Sequence, residues 1–408
     1  MESVSDTRPI PLSVPNLAGN EWKYVKECLD TGWISSAGAF VDQFEAAIKS
    51  FAGVKHAIAA VNGTAALHIA LQLAGVKNHD YVIVPNLTFV ASANAVSYIG
   101  ADPLLVDVNA ATWQIDLELL AEYLDENCFV ESNSTFLKSD RRRIAAIMPV
   151  HILGNMCDMA RLKELATRFR LPIVEDSTEA LGSTFEGNHA GSLGLLGTYS
   201  FNGNKIISTG GGGMIVTNND ALGRRAKHLT TQAKTRSDEY IHDEVGYNYR
   251  LVNILAAIGL AQVEQLPRFL ERKREVMRLY QEGLSHLPNI EFPAIVRQVK
   301  PNNWLQTVRV PNADALIAVL RAQGIDCRRF WVPMNQLPMY KNNRLVSTND
   351  VAGDLFRNCV SIPSSTSITD GELDRVIGAI CRFYRAPFPA QKHRIGRPRI
   401  SASGSIPP

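Results

Sequence analysis

A lysine beside four consecutive glycines is the feature of this sequence with the clearest chemical potential. Lys205 lies in the segment TYSFNGNKIISTGGGGMIVT (198–217). Four glycines remove every Cβ from one stretch of backbone, so a flat ligand can approach it closely. A lysine held beside such a loop can lose its hydration, which lowers its pKa and makes the amine nucleophilic. Taken alone, the spacing fits a surface lysine beside a flexible turn equally well.

Three acidic residues accompany the end of an apolar run in LPIVEDSTEALGS (171–183), namely Glu175, Asp176 and Glu179. Ligands of open parallel sheets bind at the carboxyl ends of the strands. A carboxylate at this place can pair with a cationic ring nitrogen. Asp after a strand is also a common helix N-cap, and on this segment alone that interpretation is favoured for Asp176.

Two further segments and one histidine complete the set of candidates. NGTAALH (62–68) opens a helix with Gly and Thr, whose free amides suit a phosphate. GYNYRLVN (246–253) groups hydrogen-bond donors with aromatic rings, which also suits an interface patch. His151 follows an apolar run but has no metal-ligand partners at close spacing, so a packed or hydrogen-bonded histidine is the better interpretation.

The elements that must position these residues alternate between short apolar runs and amphipathic segments. Fully buried strands that alternate with helices predict an α/β fold with a mostly parallel sheet. Strands are predicted at 56–61, 81–85, 103–108, 144–150 and 171–176, and helices at 64–76, 89–101 and 159–170.

The pattern predicts two domains and a tail. Residues 1–266 form the large ligand-binding domain, and a long helical region at 253–285 leads out of it past Pro267. Residues 267–386 form a smaller α/β domain, with a strand at 304–310 and helices at 314–324 and 371–384. Residues 387–408 are basic, rich in proline and serine, and predicted to be disordered.

Composition excludes several classes of protein. The 408 residues include 42 basic and 40 acidic side chains, a net charge of +2 that argues against binding to nucleic acid or to an anionic membrane. No apolar run of about 18 residues predicts a membrane span. The N-terminus lacks the pattern of a signal peptide. Six scattered cysteines without a C-x-x-C pair fit a reducing cytoplasm and provide no metal site.

Together, the candidate segments resemble the DegT/DnrJ/StrS family of pyridoxal-phosphate (PLP)-dependent sugar aminotransferases. The resemblance runs from about Pro11 to Tyr384. The matching stretches, in family order, are GWISSAG (32–38), NGTAALHIAL (62–71), PNLTFVASANAV (85–96), PVHILG (149–154), VEDSTEALGS (174–183), SFNGNKIISTGGGG (200–213), GYNYRLVNILAAIGLAQ (246–262) and LPMY (337–340).

The resemblance implies a type I aspartate-aminotransferase fold. In that fold a large domain surrounds a mainly parallel seven-stranded sheet, and a smaller α/β domain follows at the C-terminus. It also implies a homodimer whose active sites are shared between the subunits.

The same resemblance implies roles for individual residues. Lys205 matches the Schiff-base lysine, Asp176 the residue that binds the pyridine nitrogen, and Phe89 the aromatic that stacks on the cofactor ring. Glu179 stands where many members carry His or Gln near the phenolic oxygen. The other cofactor-binding candidates are Gly63, Thr64, Ala65, Ser200, Asn202 and, from the other subunit, Asn248.

Segments that border the sugar pocket in relatives contain Trp33, Ser35, Arg250, Trp331 and Tyr340. Both tryptophans fit a packing role equally well. Many relatives carry a histidine just before the LPMY stretch, and here Asn335 stands at about that place, which departs from the family pattern.

The implied reaction is a ping-pong transamination. L-glutamate converts PLP to pyridoxamine phosphate, and a nucleotide-linked 4-keto-6-deoxy sugar then accepts the amino group at carbon 4, giving an amino sugar for surface glycans. The opening of the chain and an insertion near 128–143 resemble the legionaminic-acid and bacillosamine branch, whose substrates are UDP-linked 2-acetamido-4-keto sugars.

Three alternatives are weighed against this reaction. A sugar 3-dehydratase of the same fold replaces the lysine with histidine, so Lys205 argues against it. Amino transfer to carbon 3, or to an inositol ketone, remains open. A non-catalytic sensor or scaffold predicts loss of Lys205 or Asp176, and both are present.

Overall fold

The computed structural model describes residues 8–236 and 239–385, so the predicted disorder of residues 387–408 lies outside the described residues. The strands are β1 (His56–Ala60), β2 (Tyr81–Pro85), β3 (Asp102–Val106), β4 (Cys128–Glu131), β5 (Ser134–Leu137), β6 (Arg143–Ile147), β7 (Val174–Asp176), β8 (Thr184–Phe185), β9 (Asn188–His189), β10 (Leu196–Ser200), β11 (Gly213–Thr217), β12 (Val299–Lys300), β13 (Gln306–Arg309), β14 (Arg328–Arg329), β15 (Leu345–Val346) and β16 (Cys359–Ile362). The α-helices are α1 (Glu21–Thr31), α2 (Ala39–Ala52), α3 (Gly63–Leu73), α4 (Ala91–Tyr98), α5 (Leu117–Asn127), α6 (Met159–Arg168), α7 (Asp220–Thr230), α8 (Asn253–Leu284), α9 (Ala313–Ala322), α10 (Val351–Asn358) and α11 (Asp370–Phe383).

Seven strands of the central sheet follow the order β1, β11, β10, β7, β6, β2, β3, and the two-residue β15 pairs in parallel with the outer edge of β3. Two ladders are joined where β6 meets β7, through parallel bridges from Ile147 to Ile173 and from Val150 to Asp176. Strand β11 runs antiparallel to both its neighbours, and the other neighbouring pairs are parallel. The predicted mainly parallel seven-stranded sheet is therefore confirmed.

Burial on both faces explains why these strands are short and continuously apolar. Every residue of β2 and β11 is buried, because helices cover both sides of the sheet. Parallel strands need such crossovers, and α3, α4 and α6 provide them between successive strands. Right-handed crossovers then place the strand ends, and the loops that follow them, along one edge of the sheet.

The predicted insertion near 128–143 folds into an antiparallel hairpin at the start of β6. Strands β4 and β5 pair with each other, and β5 pairs with β6. Ser132 and Asn133 connect them with φ values of 50° and 62°. Two positive φ values are typical of a type I′ turn, whose twist matches that of the paired strands.

The C-terminal part builds its own core on the antiparallel sheet β13–β16–β14. Helices α9 and α11 pack against this sheet, so the strand and helices predicted after residue 290 are confirmed. Ile10 joins this core from the other end of the chain, and its amide donates to the carbonyl of Gly324.

Helix α8 connects the two cores. It is continuous through Pro267 and buries Phe269 in the core beside α2, then Val276 and Tyr280 in the C-terminal core. The division into domains at residue 267 stays a prediction, since a single helix crosses it.

Two expectations from composition concern the cysteines and membrane spans. All six cysteines are buried free thiols. Within the described ranges, no helix is both long enough and apolar enough to cross a membrane.

Candidate active site

The carboxyl ends of β7 and β10 and the amino end of α3 meet at one place. Asp176 ends β7 and pairs in register with Thr198 of β10. Gly63 begins α3, and a methyl group there would lie 3.0 Å from Cβ of Ser200 and 3.2 Å from Cγ2 of Thr178. Any larger residue at position 63 would crowd these two side chains, so glycine suits this close approach of the helix start.

Asp176 is held by hydroxyl groups. Asp176 is only 2% exposed, and its Oδ2 accepts a hydrogen bond of 2.7 Å from the Ser92 hydroxyl. Oδ1 accepts from the Thr178 hydroxyl at 2.7 Å and from the Thr178 amide at 3.2 Å. A turn rather than a helix follows, so the N-cap interpretation is wrong. Sequence reasoning missed Ser92 and Thr178, although both stand inside quoted motifs.

The start of α4 positions Phe89 near this carboxylate, because Ser92, the partner of Asp176, lies in the same turn. The amide of Ser92 donates to the carbonyl of Phe89 at 3.2 Å, which places the aromatic residue one turn away from the Asp176 partner. Phe89 is 55% exposed, an unusual state for a phenylalanine beside a buried site. Its ring is therefore accessible to a planar ligand.

Lys205 and Glu179 form the charged centre of the site. Their closest atoms, Nζ and Oε1, are 3.7 Å apart. Burial lowers the pKa of Lys205, while the carboxylates of Glu179 and Asp176 act in the opposite direction. Burial also raises the pKa of Glu179 to about 7. The amine is thus shifted toward its uncharged, nucleophilic form.

A strained turn helps to fix Glu179. The amide of Leu153 donates to Glu179 Oε2 at 2.8 Å. Leu153 has a φ of 60°, which is rare for a residue other than glycine and costs about 1–3 kcal/mol. The following Gly154 also has a positive φ, of 80°. The turn at the end of β6 is therefore shaped so that a backbone donor points at this carboxyl group.

Trp304 covers the lysine and was missed at the sequence level, where it was interpreted only as the start of a strand. Lys205 Nζ lies 4.1 Å from the centre of the indole ring. The indole N–H donates to the carbonyl of Asn204 at 2.6 Å. No local motif predicts this contact, because about 100 residues separate the two partners in the chain.

Within the glycine run, Gly213 allows two segments of the backbone to pack directly against each other. A methyl group there would lie 2.3 Å from the carbonyl oxygen of Asn62, so β11 begins directly against the start of α3. From the sequence, these glycines are expected to let a ligand approach closely. At Gly213, the group that approaches closely is another segment of the chain's own backbone. Asn202 pairs with Gly210 in the loop that carries Lys205.

The start of α3 forms an anion cradle. The Asn62 side chain accepts from the amide of Ala65 at 2.8 Å, so that donor is already used. Within the described part of the chain, no hydrogen bond from the amides of Gly63 or Thr64 is recorded. Two free amides and the positive end of the helix dipole suit a phosphate beside the Ser200 hydroxyl.

The segment 248–250 lies next to this cradle. Arg250 bridges to Ala60, and the carbonyl of Tyr249 accepts from the amide of Val61 at 2.7 Å. The guanidinium of Arg250 lies 4.0 Å from Asp42. Asn248 is exposed, as its predicted role toward another subunit requires.

Trp33 and Ser35, two of the substrate candidates, bond through their backbone to Asn253 at the start of α8. The carbonyls of Trp33 and Ser35 each accept from Asn253 at 2.6 Å, while the Trp33 ring is largely exposed. Trp331 stacks on Phe330 with ring centres 4.6 Å apart.

Tyr340 is buried and donates to Asn94 Oδ1 at 2.6 Å. Asn335 and Asn86 exchange two hydrogen bonds of 3.0 Å. Sugar-binding roles for the residues in these segments stay predictions.

Glu175 and His151 lie on the opposite face of β7. Glu175 accepts from the amides of Gly191, Leu193 and Gly194 and from His151 Nε2, at 2.5–3.0 Å. Both side chains are fully buried. The hydrogen-bonded role predicted for His151 is confirmed.

The described residues provide the donor set for one kind of ligand. A buried amine can bind a carbonyl carbon covalently, a buried carboxylate can pair with a cationic ring nitrogen, and the α3 cradle can hold a phosphate. A methyl group at Gly63 would narrow that cradle, which supports its use as a binding space. The arrangement fits PLP.

Comparison with known proteins agrees. A model of the DegT/DnrJ/EryC1/StrS aminotransferase family matches residues 15–381. GDP-perosamine synthase of Caulobacter vibrioides is 40% identical over 385 residues, covering 92% of this chain and 99% of that protein. GDP-perosamine synthase of Escherichia coli O157:H7 is 37% identical, covering 92% and 98%.

A solved structure gives the same result. The S. venezuelae protein DesV, in complex with a ketimine intermediate, superposes with a TM-score of 0.82 at 29% identity, covering 92% of this chain and 98% of that one. Such neighbours confirm the predicted type I aminotransferase fold.

Proposed function

This chain belongs to the DegT/DnrJ/EryC1/StrS family of PLP-dependent sugar aminotransferases, and we propose that it transfers an amino group from L-glutamate to carbon 4 of a nucleotide-linked 4-keto-6-deoxy sugar. The observation that carries this function is Lys205, whose side chain is only 14% exposed and which lies 3.7 Å from Glu179 at the end of the sheet where Asp176 and the α3 cradle meet.

Each residue of the site has a distinct task in this proposal. Lys205 binds the cofactor covalently and, once freed by the amino donor, moves a proton to and from the reacting carbon. Asp176 keeps the ring nitrogen protonated through a charge-assisted hydrogen bond. Phe89 stacks on the ring, and Gly63, Thr64 and Ser200 hold the phosphate. When bound, PLP supplies the electron sink for the transfer.

The nucleotide is the part of the proposal on which sequence motifs and relatives disagree. The motifs favour a UDP-linked 2-acetamido-4-keto sugar. The two relatives at 40% and 37% identity are named as GDP-perosamine synthases, which supports a GDP-linked 4-keto-6-deoxy hexose. We give the relatives more weight, because they cover 92% of the chain whereas the branch resemblance depends on two segments.

A homodimer and a cytoplasmic location complete the proposal. Trp22 and Trp33, at the start and just after the end of α1, expose 76% and 58% of their surface, and Phe89 and Asn248 are also exposed. Exposed aromatic side chains of this size are typical of surfaces that another subunit covers. Six free thiols support a reducing compartment.

Reduction with borohydride tests the function. Purified protein incubated with PLP should be yellow and lose its absorption band on reduction, with the cofactor found on the Lys205 peptide by mass spectrometry. Lys205→Ala should remove both the covalent link and the activity. Lys49→Ala, on the exposed surface of α2, is the matched control and should behave as wild type.

A substrate panel tests the finer statements. GDP- and UDP-linked 4-keto sugars, a 3-keto sugar and an inositol ketone are offered with L-glutamate, and products are read by mass spectrometry. Amination of the GDP-linked 4-keto sugar alone supports the proposal. Preference for the UDP-linked sugar, the 3-keto sugar or the inositol ketone overturns the assigned substrate, and a colourless protein that binds no PLP overturns the enzyme function itself.

A further inference from the structure

We propose that Lys273 is a positioning residue of this active site and acts on Lys205 through Trp304. The proposal rests on the assignment of Lys205 as the cofactor-binding lysine, and its experiment separates the two. Lys273 lies on α8, outside every motif of the sequence, and makes no direct contact with the reacting atoms.

Lys273 is an unusual buried lysine. It is only 2% exposed, and Nζ donates to the carbonyl of Trp304 at 2.6 Å and to the carbonyl of Ser364. Within the described ranges it forms no ion pair. A buried amine without a carboxylate is costly, and burial lowers the pKa of Lys273 to about 7. A methionine would fill the same space at lower cost, so the two hydrogen bonds must do something that packing cannot.

Those bonds fix one of three anchors of Trp304. The amide of Trp304 donates to Asn302 Oδ1 at 2.8 Å, and its indole N–H donates to the carbonyl of Asn204 at 2.6 Å. Lys273 donates the shorter hydrogen bond to the third group, the carbonyl, which also accepts from the Ser364 hydroxyl at 3.4 Å. Amide, carbonyl and ring nitrogen together leave the indole little freedom to tilt or slide.

The fixed indole covers the reacting amine. Lys205 Nζ lies 4.1 Å from the ring centre, and the charged groups that face this amine are Glu179 and Asp176. The ring excludes water from one side of the amine. If Trp304 moves, water reaches Lys205, and the desolvation that makes the amine nucleophilic is reduced.

The geometry also keeps the anchor independent of pH. A protonated lysine has three N–H donors, and a neutral amine still has two. Two carbonyl acceptors can therefore be satisfied on both sides of pH 7. Titration of Lys273 should leave Trp304 in place, which distinguishes an anchor from a pH switch.

A matched pair of variants tests the proposal. Lys273→Met removes both donors at nearly constant volume. Tyr280→Phe is the control: it lies seven residues later on α8 and removes a hydrogen bond of 2.7 Å to the carbonyl of Pro363, the neighbour of Ser364, without touching Trp304. Both variants lose a buried hydrogen bond to the same segment.

The readout is the rate at which the cofactor-free full-length protein attaches PLP to Lys205, trapped with borohydride, from pH 6 to 10. Lys273→Met should slow attachment about tenfold at pH 7 and move its midpoint to higher pH. Tyr280→Phe should keep the wild-type profile. Trp304→Leu should show the Lys273→Met profile, and adding Lys273→Met to it should change nothing further.

The outcomes are distinct. If wild type carries no PLP on Lys205, the proposed function fails before Lys273 is examined. If wild type is labelled and Lys273→Met has the same profile, with only lower thermal stability, the lysine is structural and the proposal is overturned. Should Lys273→Met fail to fold, Trp304→Phe, which removes the indole bond to Asn204 and leaves a smaller ring over Lys205, must shift the profile in the same direction, and an unchanged profile overturns the proposal equally.

Discussion

Strand β7 places one carboxylate on each of its two faces, and these two residues have opposite fates. Glu175 points behind the sheet, where three backbone amides and His151 donate to it at 2.5–3.0 Å. Asp176 points toward the site, where its partners are the Ser92 and Thr178 hydroxyls and one amide at 3.2 Å. Strand geometry alone makes successive side chains face opposite ways.

The two faces differ in how completely their polar groups are satisfied. Behind β7, each carboxylate oxygen of Glu175 accepts two hydrogen bonds from the chain, while His151 Nδ1 has no hydrogen-bond partner among the described residues. On the site face, Lys205 and Glu179 stand 3.7 Å apart, beyond hydrogen-bond range, and no bond from the amides of Gly63 and Thr64 is recorded in the described ranges. Buried polar groups normally find partners, so the face that leaves a charged pair and two backbone amides without hydrogen bonds is the one that fits a ligand.

The largest effect that this comparison predicts is on Asp176. Asp176→Asn keeps the shape: its amide oxygen can accept from Thr178 in the Oδ1 position, and its NH₂ can donate to the Ser92 hydroxyl in the Oδ2 position. The substitution removes the charge that a ring cation needs. Activity should fall by about 10²–10³-fold, while the thermal midpoint stays near that of wild type. Steady-state kinetics with glutamate and the keto sugar, together with calorimetry, measure the two quantities.

The opposite result, retained activity with lost stability, would contradict the difference between the two carboxylates. An Asp176→Asn variant that keeps its activity but loses stability would make Asp176 a scaffold residue like Glu175. The spectrum provides a control, because PLP should still attach to Lys205 in this variant.

The second effect falls on the scaffold face. Glu175→Gln turns an amide NH₂ toward donors and leaves buried groups without acceptors. The free energy of unfolding should drop by about 2–3 kcal/mol, as measured by urea denaturation of the cofactor-free protein. Activity per folded molecule should stay within a few-fold of wild type. A large loss of activity at unchanged stability would show that both faces serve catalysis.

Sequence alone predicted the elements well, for physical reasons. β1, β2 and β3 are short, apolar and bounded by turn residues, and their period is distinct from that of the amphipathic α6. Lys205, Asp176 and Gly63 stand in local motifs, so their neighbourhood could be inferred from spacing and from the family resemblance.

What spacing could not give are contacts across the fold. Trp304 meets Lys205 only because Asn302 ties its loop to the carbonyls of Glu179 and Leu181, at 2.8 and 2.9 Å. Lys273 looks like any lysine of a charged helix, yet it is buried because α8 passes between two cores. Such roles depend on tertiary packing and leave no periodic signal.

A smaller effect is expected for Ser92. Ser92→Ala removes the hydroxyl that donates to Asp176 Oδ2 and should reduce kcat/KM about fivefold, since one hydrogen bond is worth about 1 kcal/mol. Ser192→Ala is the matched control on the scaffold face, where that hydroxyl donates to the carbonyl of His189. Equal losses in both variants would contradict the distinction between the faces.

The smallest effect concerns Glu179 and is a shift rather than a loss. The Glu179 carboxylate raises the pKa of Lys205 against the effect of burial, so Glu179→Gln should move the midpoint of PLP attachment to lower pH. The glutamine oxygen can still accept from Leu153, which keeps the turn in place. A midpoint that moves to higher pH would mean that water has entered and that the variant perturbs the site by more than its charge.

Stability provides the independent check on Glu179. Its pKa is raised from 4.5 to about 7 on folding, so its favourable contribution is complete below pH 4.5 and is lost as the pH rises through 7. Glu179→Gln should therefore gain thermal stability relative to wild type between pH 5 and pH 8 in the cofactor-free protein. If the difference in thermal midpoint were the same at both pH values, Glu179 would already be ionised at pH 5. The site face would then hold a satisfied carboxylate, as the scaffold face does.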